Sequence, residues 1–194
     1  MKLSLLSKFT LVSFVLMAII AVSLAWGIQQ QLEQTALWQE ATSAADEVTG
    51  ILNPNLEKTD LTAPLDPARY AEIDALIRQN ILHEHIVRVK IWSRDGLLLY
   101  SDQQDLVGQS YPLSDELAKA LKGQIATDIS TLDKPENAQQ AGAHSQRLLE
   151  VYVPLRPMGS PQVLGAYEIY HDLTVVESSA ASISRFVWSE VGVG

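Results

Sequence analysis

Ile86-Val87-Arg88-Val89-Lys90-Ile91-Trp92 runs into Ser93-Arg94-Asp95-Gly96, and Leu97-Leu98-Leu99-Tyr100-Ser101 follows. Successive side chains of an extended strand point to opposite faces. The first segment therefore sets Val87, Val89 and Ile91 on one face and Arg88, Lys90 and Trp92 on the other. Arg94-Asp95-Gly96 reads as a hairpin turn, because glycine accepts the positive φ that such turns use. Residues 97–101 are the returning strand. This hairpin commits the middle of the chain to antiparallel sheet.

Downstream, Leu106 to Pro112 reads as a loop. Ser114 is placed to cap a short helix from Asp115 to Lys122, with Gly123 at its end. Gln124–Ser130 is a third strand, and the polar stretch Asp133–Gln146 is a loop. Leu148–Leu155 and Val163–Tyr170 are two more strands, turned into a hairpin by Pro157-Met158-Gly159-Ser160-Pro161. Leu173–Glu190 returns to helix. Upstream, Asn53 to Pro67 holds three prolines and reads as a loop, because proline stops helices. Asp66-Pro67 is an N-cap followed by proline at the first helical position. The helix it opens runs to about Asn80, with Tyr70, Ile73, Leu76 and Ile77 on its apolar face. The element order predicts an α+β fold: a long N-terminal helix, then a five-stranded antiparallel sheet flanked by helices.

Phe9 to Ile28 is a run of 20 residues without a charge. As a helix it is about 30 Å long, the thickness of a hydrocarbon core. Lys2 and Lys8 precede it, and no Lys or Arg follows until Lys58. The positive-inside rule keeps the N-terminus in the cytoplasm and sends the rest outside. A cleaved signal peptide ending near Ser23-Leu24-Ala25 is the competing reading, but the run is longer than a usual signal core. The expected organisation is residues 1–8 cytoplasmic, 9–28 transmembrane, 29–52 a membrane-proximal helix, 53–177 an extracytoplasmic domain and 178–194 a C-terminal helix. The protein is thus expected in a bacterial inner membrane, crossing once, with its main domain periplasmic. In the membrane-proximal helix, Leu37, Ala41, Ala44, Val48 and Ile51 follow a 4-3-4-3 spacing. That is a short heptad seam. It serves either a homodimer or packing of the helix on its own domain.

The 194 residues carry 14 Lys and Arg against 23 Asp and Glu, a net charge of -9. An acidic chain without clustered basic residues is not built to neutralise phosphates, which excludes a nucleic-acid partner. With no cysteine, thiol catalysis and Cys-ligated zinc are excluded as well. No nucleophile elbow, phosphate loop or dinucleotide fingerprint is present. His83-Glu84-His85 has too few partners for a metal site. It reads as a polar helix-to-strand junction, and the lone His171 as structural. Catalytic residues, metal ligands and cofactors are therefore not expected. The constellation that remains lies on the strands. Arg88, Lys90 and Trp92 share one face, Glu150 and Tyr152 share another, and Glu168 and Tyr170 a third. If these faces coincide, they form either a ladder of ion pairs or the wall of a ligand pocket, with Tyr111 as a lid.

The hairpin Val87–Asp102, the segment Leu106-Val107-Gly108-Gln109, the helix Glu116–Gly123 and the strands Leu149–Leu155 and Leu164–Tyr170 together resemble extracytoplasmic PAS-like sensors of the single Cache type. The resemblance covers roughly Thr35 to Glu177. It implies the sensory input module of a membrane receptor, of sensor histidine kinase or diguanylate cyclase type, that is not itself an enzyme. It also implies an unidentified small-molecule ligand, which on the pocket reading of the strand faces is held by Arg88, Lys90, Trp92, Tyr111, Tyr152, Glu168 and Tyr170. In that family a second membrane span and an output domain follow. Here Phe186–Gly194 reads as the approach to such a span, so the chain is expected to be the N-terminal part of a receptor, either a fragment or a gene product truncated before its output module. The alternative is a membrane-anchored interaction or assembly domain without a small ligand.

Overall fold

The computed structural model describes residues 5–130, 148–158 and 160–173. The loop read at Asp133–Gln146 lies outside the described residues, as do the C-terminal helix beyond Leu173 and His144. The chain divides into two units, Met1–Glu40 and Ala41–Gly194.

Helix α1 (Leu5–Leu52) is continuous. Among the described residues it is the one helix long and apolar enough to cross a membrane. Within the first unit Phe9, Phe14, Met17, Val22 and Trp26 are all exposed, the pattern expected if this segment spans a membrane.

In the second unit, two 3₁₀ turns follow α1, Asn53–Asn55 and Lys58–Leu61, so the loop expected there has internal structure. Arg69 ties them down: its guanidinium donates to both oxygens of Asp60 and to Glu72. Helix α2 (Pro67–Asn80) starts as expected, with the Asp66 carboxylate accepting from the Ala68 and Arg69 amides. It buries Ile73 and Ile77.

Strands β1 (Ile86–Ser93), β2 (Leu98–Ser101), β3 (Ala126–Ser130), β4 (Leu148–Leu155) and β5 (Gly165–Asp172) form one antiparallel sheet in the order β2-β1-β5-β4-β3. Helix α3 (Asp115–Leu121) is capped by Ser114, whose hydroxyl accepts from the Leu117 amide. The expected α+β architecture and five-stranded antiparallel sheet are present.

Three details differ from the sequence reading. β3 begins at Ala126 rather than Gln124, because the Gln124 amide is still bound to the Lys119 carbonyl of α3. β5 is displaced two residues toward the C-terminus. Its far end is held by Asp172, whose amide donates to the His85 carbonyl. Val87, expected on the apolar face, is exposed. The β1–β5 register slips between Ile86 and Arg88, which turns Val87 outward.

Both faces of the sheet are covered. On one face Val89, Ile91, Val151, Val153, Tyr167 and Ile169 are buried. Tyr100 donates to Asp74 of α2, and Tyr167 donates to Asn53 just past α1. Ala41, Ala44, Ala45, Val48 and Leu52 of α1 are buried within this same unit. Three members of the heptad seam, Ala41, Ala44 and Val48, are thus spent on the domain's own core, while Leu37 and Ile51 are half-buried. On the opposite face, Trp92, Tyr152, Ala126 and Ala166 pack with Leu117 and Ala120 of α3.

Gly96 has φ +79°, and a Cβ there would meet the Tyr111 carbonyl. The Tyr111 amide donates to the Gly96 carbonyl, and Leu98 and Gly108–Gln109 exchange two more backbone bonds. The loop after β2 is therefore laced back onto the hairpin, which brings Tyr111 over the α3 side of the sheet.

Candidate functional site

Period-two geometry and register together assemble the site. Arg88 on β1 lies opposite Tyr170 on β5, which lies opposite Glu150 on β4. One row along, Lys90 lies opposite Glu168, which lies opposite Tyr152. The Glu-x-Tyr pairs of β4 and β5 run antiparallel, so each acid faces a tyrosine. The faces that the sequence placed separately coincide, and the structure brings Arg88, Lys90, Trp92, Tyr152, Glu168 and Tyr170 together.

The centre is a buried polar network on the α3 face of the sheet. Glu168 receives three donors: Trp92 Nε1 at 2.7 Å, Tyr152 OH at 2.9 Å and Tyr170 OH at 2.6 Å. Tyr152 OH also lies 3.1 Å from Glu150 Oε2, so its single proton serves one carboxylate at a time. Lys90 Nζ donates to Tyr170 OH at 2.8 Å and lies 3.7 Å from Glu168 Oε2. It also sits 4.9 Å from the Tyr170 ring centre and 5.9 Å from that of Trp92. Lys90, Glu150, Glu168 and Tyr170 are each 0% exposed. A buried charge of this kind persists only when its partners are in place. Burial pushes the Tyr152 hydroxyl far above its ordinary range, and the charges of Glu168 and Glu150 push it further. Tyr170 shifts the same way for the same reasons. Both phenols therefore stay protonated donors at any ordinary pH.

Arg88 lies at the end of the network. Its guanidinium is 5.7 Å from the Tyr170 ring, and its Nε is 3.2 Å from Asp102 Oδ1. Burial raises the Asp102 carboxyl, with Arg88 opposing. Asp102 is the site residue that the sequence reading missed. It lies just past the end of β2, beyond the Lys90–Ser101 pair where the β1–β2 register stops, so strand alternation gave no signal for it. Tyr111 is half-buried and meets Trp92 edge-on at 5.8 Å, while its hydroxyl donates to Gln109. It covers the Trp92 end of the face.

His83-Glu84-His85 lies in a turn rather than an extended segment. His83 Nδ1 accepts from the His85 and Ile86 amides, and Nε2 lies 3.2 Å from Glu47 of α1. The His83 imidazole thus caps the turn that leads into β1.

An arrangement of donors and acceptors on a central sheet, enclosed by α3, can bind and orient a polar molecule. Comparison with solved structures places the scaffold. The chain superposes on the sensor domain of the V. cholerae histidine kinase DctB with a TM-score of 0.52 and 13% identity, over 80% of this chain and 58% of that one. The chain shares its fold with that sensor domain. The PAS-like, Cache-type architecture expected from the hairpin is the one observed. The chain spans 58% of the length of the V. cholerae domain. Two further likenesses are the E. coli DcuS sensor domain and the Campylobacter jejuni chemoreceptor ligand-binding domain in complex with L-valine. DcuS gives TM-score 0.49 and 17% identity, over 74% of this chain and 98% of that one. The chemoreceptor gives TM-score 0.47 and 11% identity, over 87% and 64%. No protein-family model and no curated protein sequence matches the chain.

Proposed function

We propose that the chain is the extracytoplasmic sensory input module of a membrane receptor of histidine kinase type. The observation that carries this reading is the buried polar network on the α3 face of a sheet with a sensor-domain fold. A domain that needed only stability would fill this layer with apolar side chains, which is often as stable or more so. Residues 9–28 of α1 anchor the chain, and residues 53–177 form the sensing domain. Arg88, Lys90, Trp92, Tyr111, Tyr152, Glu168 and Tyr170 form the ligand face. The same α1 that crosses the membrane supplies Ala41, Ala44 and Val48 to the domain core. A ligand that binds two arrangements of the sheet with different affinity therefore biases the helix directly. Leu37 and Ile51 are the seam residues that keep surface for a homodimer partner.

A thermal-shift screen of amino acids, amines and dicarboxylates on the full chain in detergent micelles tests this. A saturable rise in melting temperature that is lost in Arg88→Ala is expected. No shift with any compound, together with a stable complex with another exported protein, would favour the assembly reading.

A further inference from the structure

The surroundings of Lys90 Nζ have the composition of an ammonium receptor. Two aromatic rings, Tyr170 and Trp92, face it at 4.9 and 5.9 Å. A phenol oxygen accepts from it at 2.8 Å, and a carboxylate lies at 3.7 Å. Rings of this kind bind cations through their quadrupole, more strongly when water is excluded. Every wall is buried: Trp92 and Tyr152 are 2% exposed, Tyr170 and Glu168 0%. Sites that bind ligand ammonium groups use the same elements, and here the chain's own side chain occupies them.

The charge balance points the same way. Arg88 is engaged with Asp102. Lys90 lies beside Glu168, and the Tyr152 hydroxyl joins Glu168 to a second buried carboxylate, Glu150. Among the described residues of the cluster, the acids outnumber the cations. An anionic ligand would add to this surplus, whereas a cationic one would reduce it.

We propose that this face is an ammonium-binding site, that Lys90 is its resident occupant, and that the external ligand is a primary alkylammonium compound whose head group takes the place of Lys90 Nζ. The cage stands on the distances above, and its use by an external ligand rests on the sensory reading. A tethered ammonium competes at an effective concentration on the order of millimolar or above. Simple amines therefore bind the native chain weakly, and a natural ligand needs further contacts, such as those with Arg88 or Tyr111.

Removing the occupant tests the proposal. Lys90→Ala deletes the atoms of n-propylammonium, so that ion is the probe, with 1-propanol and sodium chloride at equal ionic strength as controls. The full chain is used in detergent micelles. In Lys90→Ala, propylammonium is expected to raise the melting temperature saturably by several degrees, with neither control doing so. The native chain should show no saturable shift at the same concentrations, and neither should Lys90→Met, whose stem fills the space. A folded Lys90→Ala that ignores propylammonium, or responds equally to 1-propanol, would overturn the proposal. If Lys90→Ala does not fold alone, refolding with propylammonium chloride against sodium chloride decides. Rescue by the amine supports the cage, and no rescue overturns it. Failure here leaves the metabolite screen of the native chain unaffected, so the two readings fail separately.

Discussion

Replacing Glu168 with alanine is expected to lower the stability of the folded domain by about 3–5 kcal/mol, measured by denaturant unfolding of the chain in detergent. Glu168 is the acceptor for Trp92 Nε1, Tyr152 OH and Tyr170 OH, and the near partner of Lys90. Its loss leaves a buried ammonium beside unsatisfied donors, in a layer from which water is excluded. Each buried donor without an acceptor costs about 1–3 kcal/mol. Glu168→Gln keeps one acceptor oxygen and should cost less. The double substitution Lys90→Met with Glu168→Leu removes the charge together with its partner. It should recover only the part of the loss that comes from the unpaired ammonium, because Trp92 Nε1 and Tyr170 OH still lack the acceptor that Glu168 supplies. A Glu168→Ala loss below about 1 kcal/mol would mean the network is wetter and looser than its geometry indicates.

Val48→Asp is expected to unfold the second unit, with loss of the near-ultraviolet circular dichroism of its buried tyrosines. Val48 is 0% exposed, and Ala41, Ala44 and Leu52 line the same buried stripe. An aspartate there either sits uncompensated in an apolar layer or must be protonated, at a cost of more than about 3 kcal/mol. Were this stripe the seam of a dimer instead, the same change would dissociate the dimer and leave the dichroism intact. The two outcomes separate a helix built into its own domain from one that needs a second copy.

Much of this architecture is legible in the sequence because its signals are local. Gly96 with Arg94-Asp95, the Pro157–Pro161 connection, Asp66-Pro67 and Ser114 each set a turn or a cap by backbone chemistry alone. The site is legible to the same degree. Alternation alone puts Arg88, Lys90 and Trp92 on one face, and Glu150 with Tyr152 and Glu168 with Tyr170 on others. What alternation cannot supply is register. A slip of one residue moves every side chain to the other face, and Val87 shows that such a slip occurs at the start of β1. The pairing of Arg88 with Asp102 depends on that same long-range information. The heptad seam was ambiguous for another reason: small residues at 3-4 spacing suit a helix against a sheet as well as a helix against its copy.

The chain has no native cysteine, so one introduced thiol reports its own location. Glu84 is 79% exposed, at the turn before β1. On the proposed topology, with the domain outside and α1 as its anchor, a membrane-impermeant maleimide added to spheroplasts expressing Glu84→Cys should label the protein fully without lysis. Labelling that appears only after the membrane is broken would put the domain in the cytoplasm and contradict the receptor account.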